Sequence, residues 1–336
     1  MVKKILIITN SVDVHADLIS PILISRNSRP FRINLDSFPR DYQICQTFSS
    51  DKWCTSVCHL PTGELLDMAE VGAVWLRKPA DYAFLSDNLT VQELAYAKLE
   101  TEQALLGLLY SLDCYWISHP LSLRGAMWKG EQLQRAMRMG FRVPASIVTN
   151  SPTHVKAFKG SVKSDLIFKS MSTPGLAADE VDEEYRIVDG IGTTIITNEM
   201  MGCLDSVREL ACHFQEYIAK QYELRVTVIG ERLFAAKIHS QDDARTAIDS
   251  RDMSAEILYE ATELPQEIRQ RCLDFVKSYG LNFSALDLIV TPENEYVFLE
   301  NNPNGQFLYI EQLIPQFSML EAMAENLIKG ASCRSN

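Results

Sequence analysis

The chain has 336 residues, of which 46% are hydrophobic and 23% are charged, an ordinary composition for a globular protein that can bury a sizeable core. Its formal net charge of -12 disfavours nucleic acid and anionic membrane surfaces as partners, because both repel an acidic protein. If such a chain binds a nucleotide, we expect the site to be locally basic.

Eight cysteines are scattered over the whole chain, and only Cys54 and Cys58 lie close together. No second pair completes a zinc site, so we expect reduced thiols and an unligated loop around these two residues. The apolar run Ile5–Ile8 is too short for a signal segment or a membrane span. These features predict a cytoplasmic protein.

The first third of the chain alternates strands with helices. Lys4–Thr9 is a continuous apolar run that predicts a buried parallel strand, and Asp13–Ser25 has the apolar spacing of a helix. Further predicted strands cover residues 31–35, 73–77 and 116–118, and a long predicted helix covers residues 91–113. This alternation predicts a parallel α/β domain over residues 1–118.

Residues 119–211 predict a small antiparallel α+β unit. A helix is predicted over Leu123–Met139 and ends at Gly140, which is a common helix terminator. Strand-like runs follow at residues 166–169, 185–188 and 193–197.

Residues 212–336 predict a second α+β unit, built on an antiparallel sheet. The predicted strands cover residues 213–218, 224–229, 233–238, 285–290 and 296–300, and the predicted helices cover residues 265–279 and 319–328.

The most specific pattern lies on the last two predicted strands. Residues two apart on a strand share a face, so Glu300 and Asn302 should project together while Leu299 and Asn301 face away. Asp287 on the neighbouring strand can reach the same point. Two carboxylates and an amide oxygen are hard ligands that suit Mg²⁺. The alternative is the solvated edge of a hairpin with incidental acids.

Asp287 followed by Leu-Glu-x-Asn-Pro at residues 299–303 resembles the metal-binding signature of ATP-grasp ligases. The fuller segment, residues 297–311, is similar to the microviridin-type (graspetide) peptide macrocyclases, which close ester or amide rings in ribosomal precursor peptides. Other pieces of that family's pattern recur in order along nearly the whole chain, at residues 8–13, 34–39, 74–79, 129–133, 214–218, 223–225, 240–241 and 249–251.

This resemblance implies an ATP-grasp fold with an N-terminal pre-ATP-grasp domain, and a site for ATP and two Mg²⁺ ions on Asp287, Glu300 and Asn302. It implies phosphate contacts from Lys129 and Lys169, for which two surface lysines are the alternative. It implies an adenine-binding hinge and a ribose contact from Gln215, Glu216, Tyr217, Ile218 and Glu223. An ordinary core strand is the alternative for the hinge.

The same resemblance implies that Arg225 and Arg251 neutralise charge on the transferring phosphoryl group, with Lys237 as a weaker candidate. Arg77 and Lys78 would line the substrate entrance, although salt-bridged structural residues explain them equally well. The loop at residues 170–175 has one glycine where many ATP-grasp enzymes have several, and Asn301 replaces the usual aliphatic residue.

The implied reaction phosphorylates an Asp or Glu side chain of a precursor peptide, which a Ser, Thr or Lys of the same peptide then attacks. The implied partners are the leader and core of that peptide, with the leader near Tyr185–Asn198, and a second copy of the chain in a homodimer. Two alternatives stay open. One is an ATP-grasp ligase that joins a free amino acid to a peptide or small acid, and the other is a non-catalytic nucleotide-binding regulator.

Overall fold

The computed structural model describes residues 3–78, 80–172, 192–250 and 254–332. Within these residues it contains one parallel and three antiparallel sheets. The parallel sheet lies in the N-terminal third of the chain, and two antiparallel sheets follow beyond residue 140. This confirms the predicted combination of a parallel α/β part with antiparallel α+β parts.

The parallel sheet consists of β1 (Lys4–Thr9), β2 (Pro30–Asn34), β6 (Val71–Leu76) and β7 (Tyr115–Ile117). Their order is β2-β1-β6-β7, and helices α1 (Val14–Ser25) and α2 (Val91–Tyr110) connect them. The side chain of Asp13 caps α1, and Thr90 forms a capping box with Glu93 at the start of α2. All six elements were predicted, to within a few residues at their ends.

Three strands that were not predicted form a separate antiparallel sheet between β2 and β6. They are β3 (Tyr42–Phe48), β4 (Trp53–His59) and β5 (Glu64–Asp67). Cys54 and Cys58 therefore lie on a strand and not on the expected loop. These strands were missed because the alternation of apolar and polar residues, which predicts a strand, is weak where Gln, Cys and Thr occupy many of the positions.

The predicted helix Leu123–Met139 is wrong as a single element. It is divided into α3 (Pro120–Gly125) and α4 (Lys129–Arg138), with Ala126–Trp128 between them. The buried Gln132 amide stabilises the break, because its Nε2 donates to the carbonyl oxygens of Ala126 (2.7 Å) and Asn301 (2.9 Å). The break places Lys129 at the start of a new helix.

The central sheet has the order β10-β9-β11-β8 and is antiparallel in every pair. Its strands are β8 (Ser146–Thr149), β9 (Leu166–Lys169), β10 (Thr194–Ile195) and β11 (Cys212–Glu216). Helices α5 (Pro152–Ser161) and α6 (Asn198–Gly202) belong to this part of the chain. One face of β9 and β11 packs Leu166 and Phe214 into a small core, which leaves the opposite face for the site. The predicted strand at residues 185–188 lies outside the described residues.

The largest sheet has the order β14-β13-β12-β15-β16 and is antiparallel. Its strands are β12 (Tyr222–Ile229), β13 (Arg232–Ile238), β14 (Tyr259–Thr262), β15 (Phe283–Val290) and β16 (Tyr296–Asn302). Helices α7 (Gln266–Ser278), α8 (Leu308–Leu313) and α9 (Met319–Ser332) complete the chain. Here the sequence missed β14 and α8, which are short.

The last helix returns to the first sheet. Helix α9 packs against α1, β6 and β7, and its Met323 and Leu327 share a buried cluster with Ile5 and Ile7 of β1. The domain limits at residues 118 and 211 stay predictions. No helix within the described residues combines the length and apolar character needed to cross a bilayer.

Close packing of α9 generates the first testable prediction. A methyl group on Gly330 would overlap the ring of Tyr115, whereas one on Gly107 of α2 would meet no atom within 4 Å. Replacing a helical Gly by Ala normally stabilises by up to about 1 kcal/mol. We expect Gly107→Ala to do so and Gly330→Ala to destabilise by about 1–3 kcal/mol through overpacking. Urea denaturation of both variants is the measurement, and equal stabilisation would contradict this docking of α9.

Candidate active site

A cavity of about 900 Å³ lies between the central sheet, the largest sheet and the end of β1. Twelve of the predicted site residues line it: Lys78, Lys129, Lys169, Gln215, Glu216, Tyr217, Ile218, Glu223, Arg225, Asp287, Glu300 and Asn302. These residues come from five separate stretches of the chain. The fold therefore brings together side chains that the sequence places up to about two hundred residues apart.

The acidic side chains lie on the floor of this cavity. Asp287 on β15 pairs in register with Glu300 on β16, and Asn302 Nδ2 donates to Asp287 Oδ2 at 2.9 Å. The predicted convergence of these three residues is confirmed. Asn301 faces away, as expected, and its buried Oδ1 accepts from Ser284 Oγ at 2.6 Å.

The prediction for Leu299 was wrong, because Leu299 also lines the cavity. Asp287 pairs with Glu300 while Leu288 pairs with Phe298, so Leu299 is an extra residue in a β-bulge. A bulge breaks the alternation of faces and turns the end of β16 toward the cavity.

Arg225 holds the Asp287 carboxylate. Its Nη1 donates to both carboxylate oxygens, at 2.8 and 2.9 Å, and its Nη2 donates to the Gln306 carbonyl oxygen at 3.3 Å. Although 27% of the Asp287 side chain is exposed to the cavity, burial raises its pKa, against the lowering effect of Arg225. Burial lowers the pKa of Arg225, but the charge and hydrogen bonds of Asp287 together with the charges of Tyr309 and Glu300 outweigh it, so the net direction is upward.

Lys129 joins the two sheets across the cavity. Its Nζ lies 3.1 Å from Glu300 Oε2 and donates to the Ser170 carbonyl oxygen at 2.7 Å. Glu300 belongs to β16, whereas Ser170 directly follows β9. The single ammonium group thus contacts an acidic side chain of the largest sheet and the main chain at the end of β9 in the central sheet.

The roof is the open face of β9 and β11. Lys169 pairs in register with His213, and Ile167 pairs with Gln215. Directly opposed residues of an antiparallel pair project to the same side, so these four side chains share one face. His213 is 4% exposed, and burial together with Lys169 and Lys129 lowers its pKa to about 4, although Glu300 opposes the shift.

The hinge after β11, residues 215–218, is fixed by hydrogen bonds to the main chain of neighbouring segments. Glu216 N–H donates to the Ala145 carbonyl oxygen (2.9 Å), and the Glu216 carboxylate accepts from Ala145 N–H (2.9 Å). Tyr217 N–H donates to the Asp165 carbonyl oxygen at 2.7 Å. The Glu216 side chain thus contributes to the structure of the hinge.

Glu223 is the centre of a polar cluster that the sequence did not reveal in full. Lys220, which is 9% exposed, donates to Glu223 Oε1 and to the Ile248 carbonyl oxygen (3.1 Å). Ser250 Oγ donates to Glu223 Oε2 at 2.7 Å. Sequence reasoning missed Lys220, and its spacing of three from Glu223 is the only signal that could have indicated it.

The charges around the cavity do not match the expectation of a locally basic site. Among the described residues, five Lys or Arg side chains line the cavity against six Asp or Glu side chains. A protein of net charge -12 with this lining does not favour a polyanion by itself. An anionic ligand would need divalent cations to accompany it.

The donor set fits a hard divalent cation. No group of three or more His, Cys, Asp or Glu side chains among the described residues is arranged to hold a metal. Magnesium, however, commonly takes one or two carboxylates and leaves its other positions to phosphate and water. Asp287 and Glu300 supply two carboxylates, and the Asn302 side chain supplies an amide. Arg225 Nε is buried without a hydrogen-bond partner within the described residues, so the guanidinium retains a donor.

Lys237 does not belong to this site. It pairs with Leu224, whereas Arg225 pairs with Ala236, so Lys237 projects from the opposite face of the sheet. Its Nζ lies 3.0 Å from Glu260 Oε1 and 4.7 Å from the centre of the Tyr222 ring. The prediction failed because it counted reach between strands and ignored which face each residue occupies.

Arg77, which we expected at a substrate entrance, does not line the cavity. Its side chain is 1% exposed, and its Nη2 contacts His15 Nδ1 and Gln306 Oε1, each at 3.0 Å. Hydrogen bonds from His15 and Thr9, with the charge of Arg77, outweigh burial and lower the pKa of Asp13 to about 2. Lys78 does line the cavity, beside Asp13 and His15. Arg251 lies outside the described residues.

Comparisons with known proteins show which family and fold this chain resembles. Residues 4–124 match the family model of the MvdD pre-ATP grasp domain. No curated protein matches the sequence significantly.

Many solved structures match, and three of them illustrate the similarity over almost the full length of each chain. A RiPP-associated ATP-grasp ligase from Chryseobacterium gregarium, in complex with ADP and a leader and core peptide, is 28% identical, with a TM-score of 0.88 and 97% of each chain covered. The macrocyclase MdnC from Microcystis aeruginosa, bound with precursor peptide MdnA, is 28% identical, with a TM-score of 0.84 and 97% of this chain and 99% of that one covered. The macrocyclase MdnB from the same organism is 25% identical, with a TM-score of 0.77 and 98% and 100% covered.

The burial of His213 predicts how the stability of the folded protein depends on pH. The unfolded chain takes up a proton near pH 6.5, whereas the folded chain does so only near pH 4. Stability is therefore lost as the pH falls from 6.5 to 4, by about 2 kcal/mol between pH 7 and pH 5. We expect His213→Leu to remove this loss.

Urea denaturation at pH 7 and pH 5 is the measurement, and His154→Leu, at an exposed position on α5, is the control. If the wild type and His213→Leu lose equal stability on acidification, then His213 is not held neutral.

Proposed function

We propose that this chain, an ATP-grasp ligase similar in fold and sequence to the peptide macrocyclases, closes side-chain rings in a ribosomal precursor peptide. The observation that carries the proposal is the meeting of Asp287, Glu300 and Asn302 with Arg225 and Lys129 in one cavity. The match over nearly whole chains to ligases solved with precursor peptides supports a peptide substrate.

The nucleotide would lie along the cavity from the hinge to the acidic floor. The adenine would contact the main chain of Gln215–Ile218, and the ribose would lie beside Glu223. The phosphates would lie between Lys169 on the roof and Lys129 beside the floor. This direction follows from the lining, because the hinge follows one end of β11 and Lys169 lies opposite His213 toward the other end. Lys129 on α4 contacts the Ser170 carbonyl oxygen just beyond Lys169.

Asp287, Glu300 and Asn302 would hold the magnesium, for which we propose two ions. When bound, magnesium neutralises phosphate charge and orients the triphosphate. The positive charge of magnesium would offset the excess of acidic over basic side chains in the cavity lining. The Arg225 guanidinium would remain at the point where β12 meets β15, directed at the transferring phosphoryl group.

The proposed reaction has two steps. A carboxylate oxygen of an Asp or Glu side chain attacks the γ-phosphorus, and the bond to ADP breaks, which leaves an acyl phosphate. A Ser or Thr hydroxyl or a Lys amine of the same peptide then attacks the acyl carbon, loses its proton and expels inorganic phosphate. Arg225, and in our proposal Arg251, stabilise negative charge in both steps by electrostatic interactions. The chain need not supply a covalent nucleophile, because positioning contributes much of the acceleration.

The peptide would enter beside the N-terminal sheet, where Lys78, Asp13 and His15 line the cavity. We propose that the leader docks near Tyr185–Asn198, a segment described only from residue 192 onward. The homodimer is a proposal that rests on the resemblance alone, whereas the cytoplasmic location is a proposal that rests on the scattered cysteines and the lack of a long apolar run in the sequence.

Removal of one acidic side chain tests the site. We expect Glu300→Gln to slow peptide-dependent phosphate release from ATP by more than about 100-fold, because the metal loses a charged ligand. Glu293→Gln, at an exposed position in the turn of the same hairpin, is the control and should keep the wild-type rate. Equal rates for the two variants would contradict the assignment of Glu300.

The product distinguishes a macrocyclase from a ligase that adds a free amino acid. Incubation with ATP, magnesium and a candidate precursor peptide should lower the peptide mass by one water for each ring closed, as read by mass spectrometry. An increase equal to an amino acid residue, seen only when that amino acid is present, would contradict ring closure and favour the amino-acid ligase. Nucleotide binding without any change in mass over a panel of such peptides and amino acids would favour the regulator.

A further inference from the structure

His213 lies on β11, a strand of the cavity roof, but is not itself among the residues that line the cavity. It is 4% exposed, and neither ring nitrogen has a hydrogen-bond partner within the described residues. Buried polar groups in folded proteins nearly always have partners, because an unpaired one costs desolvation without compensation. The sequence resemblance and the proposed reaction assign this residue no role.

The strand register places His213 beside the proposed phosphate site. Phe214 packs into the core of the central sheet, so His213 projects from the opposite face, where Gln215 and Ile167 line the cavity. Lys169 is its directly opposed neighbour on β9, and such pairs have Cβ atoms about 4.5–5.5 Å apart. The imidazole thus lies next to the lysine that we place on the phosphates.

The surrounding charges select the neutral imidazole. Lys169 from β9 and Lys129 from α4 disfavour its protonation, and Glu300 from β16 opposes them only in part. A neutral imidazole has one ring nitrogen that accepts and one that donates. The accepting nitrogen is complementary to an ammonium group, and the ring N–H is complementary to an anionic oxygen.

We propose that His213 is a positioning residue for the nucleotide phosphates, whose accepting ring nitrogen takes a hydrogen bond from the Lys169 ammonium group when nucleotide is bound. This bond holds the Lys169 ammonium group at the level of the phosphates, and it gives the buried imidazole a hydrogen-bond partner, which it lacks within the described residues. The inference rests on the proposed nucleotide site and adds to it a residue that acts through Lys169.

The test compares phosphate-dependent with phosphate-independent binding in the full-length protein. Magnesium-ADP binding is measured by isothermal titration calorimetry, and adenosine binding is measured by competition with a fluorescent ADP analogue. His213→Leu removes the acceptor at similar volume, and His213→Gln retains a neutral hydrogen-bonding group. Thr227→Val is the matched control, since Thr227 Oγ1 is also buried without a partner within the described residues but is paired on β12 with Phe234 and Ala285 and not with Lys169.

We expect His213→Leu to weaken ADP binding about fivefold to tenfold, the usual effect of one lost hydrogen bond to a charged group. Adenosine binding should change by less than about twofold, His213→Gln should recover most of the ADP affinity, and Thr227→Val should match the wild type. Unfolding at pH 7 should show His213→Leu to be at least as stable as the wild type, because it removes an unpaired polar group.

Unchanged ADP binding in His213→Leu would overturn the inference. So would an equal loss of ADP and adenosine affinity, which would indicate a distorted hinge. A His213→Leu protein of clearly lower stability would also overturn it, since His213 would then have a structural role. If the wild type itself binds no ADP, the proposed nucleotide site fails, and that result is separate from all of these.

Discussion

The pairing of Asp287 with Glu300 across two strands is the constraint on which the rest of the site depends. Two carboxylates in register repel each other, and burial adds to the cost of keeping both ionised. The fold counters this with one cation for each acid, Arg225 on Asp287 and Lys129 on Glu300. Both cations also contact other segments, so the same charges that stabilise the floor attach it to the roof and to the loop after β16.

This arrangement would allow an acidic protein to bind a polyanion. The lining contains no excess of Lys and Arg, so the triphosphate and its metal ions would have to be bound together. In that state Lys129 would leave the Glu300 carboxylate to the metal and contact phosphate oxygens, while Arg225 would remain beside Asp287. The cavity would then favour the nucleotide with magnesium over the nucleotide alone, which suits a ligase that activates a carboxylate with ATP.

The sequence predicted the parallel sheet, most strands of the central and largest sheets, and the acidic centre, because these depend on strong local patterns. It missed the sheet β3–β5, whose local pattern is weak. Apolar runs indicated β1, β9, β12 and β15, and the spacing of Glu300 and Asn302 indicated a shared face. The wrong predictions at the site involve contacts between residues that are far apart in the chain. The bulge at Leu299 depends on the register with β15, and the break before α4 depends on Gln132, whose partner Asn301 is 169 residues away. Only the packed structure reveals that Arg225 and Lys237 lie on opposite faces and that Arg77 is buried. The same holds for the ring of His213, which has no hydrogen-bond partner within the described residues.

The most direct test of the central claim is a crystal structure of the protein with Mn²⁺ and a non-hydrolysable ATP analogue, read by anomalous scattering. The account predicts anomalous peaks within coordination distance of Asp287, Glu300 and Asn302, with the phosphates next to Lys129 and Lys169. Peaks elsewhere, or a triphosphate outside this cavity, would contradict it.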